Sequence, residues 1–192
     1  MKGQHGWAAV LAAALLAVPA FAQDDGAADF RATGVTVRSG ITAFTGDLGD
    51  ETNVGGFLGV QVDAQPLRLM GIEVGYEGSA NGFEESGSGS LWRHNLGALA
   101  KLGPIVDNRW QPFVGAGVGV SYIDPTGMAD VTTFDNDFVF EVPLAAGLEY
   151  RFSNLTAGAR ATYRIMDGEA FAPGDVDEGD LFTAGFSLGG RF

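Results

Sequence analysis

Residues 182–192 read Phe182-Thr183-Ala184-Gly185-Phe186-Ser187-Leu188-Gly189-Gly190-Arg191-Phe192. Phe182, Ala184, Phe186, Leu188, Gly190 and Phe192 alternate with Thr183, Gly185, Ser187, Gly189 and Arg191. Alternate side chains of an extended chain fall on the same face. The stretch is therefore a β-strand with one apolar face and one small or polar face, and it ends on an aromatic residue.

Working back from this strand, the same alternation recurs seven times, at roughly 33–44, 55–64, 68–77, 91–102, 110–122, 137–150 and 155–166, with the last segment at 181–192. Each segment is about as long as a tilted strand needs to be to cross a bilayer. Connections alternate in length. Short ones are expected around Gln65-Pro66, over 103–109 and over 151–154. The others are longer and rich in Gly, Asp, Glu, Ser and Thr. Short turns at one end and long loops at the other fit an up-and-down barrel in an outer membrane, with turns and both termini on the periplasmic side.

The two faces separate cleanly. One carries Val35, Val37, Ile41, Leu58, Val60, Val62, Met70, Ile72, Val74, Leu96, Ala98, Ala100, Val114, Ala116, Val118, Val120, Val142, Leu144, Ala146 and Leu148. It continues through Leu155, Ala157, Ala159, Ala161, Ile165, Ala184, Phe186 and Leu188. Only Ser39, His94 and Pro112 interrupt it. The other face carries Arg38, Asp63, Glu73, Glu77, Arg93, Lys101, Glu141, Glu149, Arg160, Arg164 and Arg191 among many glycines, Gly115, Gly117 and Gly119 included. A charge facing lipid near the midplane costs about 2–4 kcal/mol, which explains the segregation. Tyr76, Trp92, Tyr122, Phe138, Tyr163 and Phe182 lie near the long-loop ends of the apolar face. Trp110, Tyr150 and Phe192 lie near the short-turn ends. Two interfacial aromatic belts are expected.

Lys2, the apolar run from Trp7 to Val18, Pro19 and Ala20-Phe21-Ala22 form the pattern of a secretory signal peptide, with cleavage expected between Ala22 and Gln23. Three segments follow: a signal peptide at 1–22, a periplasmic tail at 23–32 and the barrel at 33–192. The chain has no Cys, so no disulfide framework, thiolate metal site or lipoprotein anchor is expected. The formal net charge of −13 argues against nucleic acid as a partner.

The strand pattern, the two belts and the terminal Phe192 together resemble the small OmpA/OmpX-type eight-stranded outer-membrane barrel family, over nearly all of 23–192. The resemblance implies an all-β fold, an eight-stranded antiparallel up-and-down transmembrane β-barrel, placed in the cell outer membrane after export. It also implies contact with outer-membrane lipid and recognition of Phe192 by the barrel-assembly machinery. A monomer is expected, with no second periplasmic domain and no cofactor. The structural alternative is a secreted lipocalin-type barrel whose apolar face points inward around a ligand.

Eight strands enclose a space that side chains can fill. A turn centred between Phe152 and Ser153 places Glu141 opposite Arg164, and the loop after the third strand brings Glu77 near Arg93. Such pairs are expected to plug the lumen, because removing one partner strands a buried charge. A gated narrow pore worked by the same pairs is the functional alternative.

A lipid-modifying enzyme is the other alternative. His94 is the one histidine after the signal peptide, and in phase with Trp92 and Leu96 it faces lipid near the headgroups. Lipid A deacylases pair their His with a Ser two residues later, where this chain has Leu96. No catalytic, cofactor-binding or metal residue is therefore assigned. The long loops contain no Lys or Arg. They carry Asp47, Asp50, Glu51, Glu84, Glu85, Asp124, Asp130, Asp135, Asp167, Glu169, Asp175, Asp177, Glu178 and Asp180. Arg31, Arg68, Arg109 and Arg151 fall on the periplasmic side. The run from Asp175 to Asp180 offers hard oxygen ligands that suit Ca²⁺ but lacks EF-hand spacing. Divalent cations are thus a candidate partner, and a solvated, repulsive loop is the plainer reading. The whole points to a non-enzymatic envelope or surface-interaction protein.

Overall fold

The structure, a computed structural model, describes residues 33–83, 89–127, 137–167 and 179–192. The expected signal peptide and tail lie outside these ranges, as do Glu84, Glu85, Asp130, Asp135, Glu169, Asp175, Asp177 and Glu178. The chain forms β1 (Thr33–Phe44), α1 (Gly46–Glu51), β2 (Gly55–Leu67), β3 (Met70–Gly82), β4 (Gly89–Leu102), β5 (Trp110–Gly127), β6 (Asp137–Phe152), β7 (Leu155–Asp167) and β8 (Leu181–Arg191). Each strand pairs antiparallel with its sequence neighbour, and β8 returns to β1 to close the barrel. At the seam, Phe192 N–H donates to the Thr33 carbonyl at 2.9 Å and Thr33 N–H to the Phe192 carbonyl at 3.3 Å. Closure leaves no strand edge to be matched by another chain.

The expected strands form, and several run further than the alternation alone marked them. The turn expected at Gln65-Pro66 lies at Arg68–Leu69, because the register shifts between Ala64 and Leu67 and carries Pro66 as part of an irregular strand end. Proline lacks an N–H for the ladder and is tolerated at such irregularities. The hairpin between β6 and β7 closes through Ser153–Asn154, with Ser153 at φ 46° and Phe152 paired with Leu155. The turn is centred one residue later than expected. Glu141 therefore stands opposite Met166, and Arg164 opposite Pro143. This shift moves each partner by two positions, so every side chain keeps its face.

Sidedness is the reverse of a soluble protein. Leu58, Leu96, Val114 and Phe186 are 63%, 66%, 61% and 77% exposed, whereas Arg93 and Glu141 are fully buried. The lipocalin-type alternative needs the apolar face inside, and the structure places it outside. Trp92, Phe138, Tyr163 and Phe182 are exposed toward the long-loop end, and Trp110 and Phe192 toward the short-turn end. Phe152 joins the lower belt beside Tyr150, with ring centroids 4.5 Å apart.

Candidate functional site

The chemistry of this barrel is concentrated in its lumen, which is layered. At the long-loop end Phe44, Leu48, Leu91, Ile123, Val139, Met166 and Leu181 form a buried apolar cluster, with Phe83 packed on it. Leu48 comes from α1, which lies across the mouth. Gly49 permits this close approach, since a Cβ there would stand 2.6 Å from the Phe44 carbonyl oxygen. Asp180 ties the cap to the wall. Its carbonyl accepts from Thr45 N–H at 2.8 Å, and its carboxylate accepts from Met166 N–H at 3.1 Å and from the Tyr163 hydroxyl. Asn81 adds a second tie by donating to the carbonyls of Thr42 and Asn53 at 3.1 and 2.9 Å.

Below the cap lies an arginine-rich cluster. Arg93 donates through Nε and Nη2 to the two oxygens of Glu141, both at 2.6 Å, and through Nη1 to Glu77 at 3.0 Å. Arg164 donates to Glu77 at 2.8 Å and to Glu141 at 3.4 Å. Asn95 and Ser121 complete the shell of Glu141. Arg38 reaches Glu77 only at 3.5 Å. Both ion contacts expected from the sequence thus form, but diagonally across the ladder, since Glu77 lies opposite Asn95 and Arg93 opposite Ser79.

A small apolar layer of Leu99, Phe113 and Ala145 separates this cluster from a second one. There Glu73 joins Lys101 at 2.8 Å and Arg160 at 2.6 Å, and Lys101 also meets Glu149 at 2.7 Å. Phe113 presents its ring to both cations, 5.2 Å from Lys101 Nζ and 4.9 Å from Arg160 Cζ. Asp63 is held by the Thr36 hydroxyl at 2.5 Å and by Gln61 at 2.7 Å. Nearer the short turns Arg151 donates to Gln65 and Gln111.

Sequence reasoning named the charged residues but missed the apolar cap. Its signal was present, because Leu91, Ile123, Val139 and Leu181 continue the same two-residue phase as Arg93, Ser121, Glu141 and Thr183.

On the outer wall, His94 is exposed and its Nδ1 lies 2.5 Å from the Tyr76 hydroxyl. Its ladder neighbours are Gly78 and Tyr122, and neither supplies an aliphatic hydroxyl for nucleophilic chemistry. Among the described residues no His, Asp or Glu cluster suits a metal ion. Asp180, one of the proposed Ca²⁺ ligands, is already engaged by Tyr163 and Met166; Asp175, Asp177 and Glu178 lie outside the described residues.

Residues 8–192 match the family described as the outer membrane protein beta-barrel domain. Three solved structures share the fold. Neisserial surface protein A is 14% identical with a TM-score of 0.66, covering 84% of this chain and 99% of that one. The attachment invasion locus protein Ail of Yersinia pestis is 13% identical with a TM-score of 0.58, covering 85% and 100%. OprG from Pseudomonas aeruginosa is 13% identical with a TM-score of 0.52, covering 84% and 97%. No match to a curated protein is found.

Proposed function

The chain belongs to the outer membrane protein beta-barrel domain family, and from that premise we propose that it is a non-enzymatic barrel serving envelope integrity and surface interaction. Its place is the bacterial outer membrane. The observation that carries the functional reading is the filled lumen: an apolar cap and two ion clusters occupy the section that a pore would leave to water. Buried ion pairs such as Arg93–Glu141 hold one arrangement, since breaking the pair isolates its partner. With the interior committed to structure, the acidic long loops are the surface left for partners. In this reading the segment 1–22 directs export, Phe192 engages the barrel-assembly machinery, and the barrel works as a monomer among outer-membrane lipids.

Reconstitution into a planar bilayer tests the reading. The filled lumen gives no resolvable current steps, whereas a steady ohmic conductance contradicts it and favours the narrow pore. Loss of a lipid modification in His94→Ala cells would instead favour the enzyme.

A further inference from the structure

Between the two charged clusters the lumen keeps a cavity of about 50 Å³, lined by Arg38, Glu73, Glu77, Arg160, Thr162 and Arg164 among others. It exists because Gly59, Gly75 and Gly97 present no side chains there. At ~10–15 Å³ per water-sized occupant, a few such occupants fit. The lining is unbalanced, with three guanidinium groups facing two carboxylates. It also holds unpartnered donors, beside one carboxylate oxygen, Glu77 Oε2, whose contact is the 3.5 Å ion pair with Arg38. Thr162 is 2% exposed and its hydroxyl has no partner; Arg164 is 5% exposed and its Nε has none. Arg38 is the least committed cation of the set, with contacts of 3.4 Å to Gln61 and 3.5 Å to Glu77. Water can accept from these donors but brings no negative charge, so water alone leaves the surplus cation uncompensated.

We propose that this chamber binds a small monovalent anion of the halide class, held by Arg38, Arg164 Nε and the Thr162 hydroxyl. The volume admits chloride or bromide and excludes gluconate. A second cavity of about 40 Å³, lined by Lys101, Arg151 and Arg191 with Asp63 and Glu149, lies toward the short-turn end and shares no lining residue with the first. A ligand that binds only the folded barrel raises its stability with concentration, so the site has a thermal readout.

The test is the unfolding midpoint of the full barrel in detergent, read by gel mobility without boiling, in chloride, bromide or gluconate at equal ionic strength. The midpoint rises with halide concentration and stays flat with gluconate. Arg38→Gln removes the surplus cation and abolishes the halide dependence. Thr162→Val keeps every charge, and so stands as the second variant if Arg38→Gln does not fold; it weakens the apparent halide affinity by roughly tenfold. Equal midpoints in halide and gluconate would overturn the proposal and leave a water-filled chamber. Halide dependence unchanged in Thr162→Val would also overturn it, by placing the ion elsewhere.

Discussion

The apolar cap and the arginine cluster beneath it both block the lumen, and they do so by opposite physics. The cap excludes water with hydrocarbon. Its residues need only volume and shape, and a lost methyl leaves a hole. In the cluster each group is held by the charge of its neighbours. Arg93 directs three nitrogens at two carboxylates, and Glu141 gathers Arg93, Arg164, Asn95 and Ser121. The difference teaches where this barrel is tolerant. A conservative apolar exchange in the cap leaves no stranded charge, whereas neutralising Glu77 or Glu141 in the cluster does.

The largest effect is expected from Glu141→Leu. It leaves Arg93 fully buried without its bidentate partner and should destabilise the barrel by about 3–5 kcal/mol, seen as failure to refold or a much lower midpoint. The double variant Glu141→Leu, Arg93→Leu sharpens the comparison, because removing both charges should restore much of that loss. Ile123→Ala in the cap should cost about 2–4 kcal/mol through lost burial and a cavity. No recovery in the double variant would erase the distinction between the two regions.

On the outer wall Val118→Arg places a cation on the lipid face and should lower stability by about 2–3 kcal/mol in lipid. A neutral result would place Val118 away from the hydrocarbon. Asp180→Asn weakens the tie between cap and wall and should cost about 1 kcal/mol, with the mobility of the folded band unchanged.

Strand count, sidedness and the identity of the charged residues were legible because lipid and lumen impose opposite chemistry on alternate positions. Phe186 and Arg93 could not exchange faces without a large penalty. Register was less legible. The face pattern is indifferent to a shift of two positions, so Glu141 keeps its inward direction whether it faces Arg164 or Met166. What fixes the pairing is the two-residue turn at Ser153–Asn154, a local backbone event. The cap was missed for a different reason. Leu48 acts from a six-residue helix in a loop that lacks strand alternation, and its depth depends on Asp180, far away in sequence. The chamber is a product of three glycines on adjacent strands, a coincidence of register that no single segment displays.

The most direct test of apolar-out, charge-in packing uses the chain's own tryptophans. In the chain from Gln23 onward the tryptophans are Trp92 and Trp110, one in each belt and both facing outward. Their fluorescence is measured in vesicles containing lipid brominated near the headgroup or near the chain end, and with aqueous iodide. Strong quenching by the headgroup-proximal bromines is expected, with weak quenching by the others and by iodide. Quenching by iodide without any effect of brominated lipid would contradict it, and would return the apolar face to the inside of a soluble barrel.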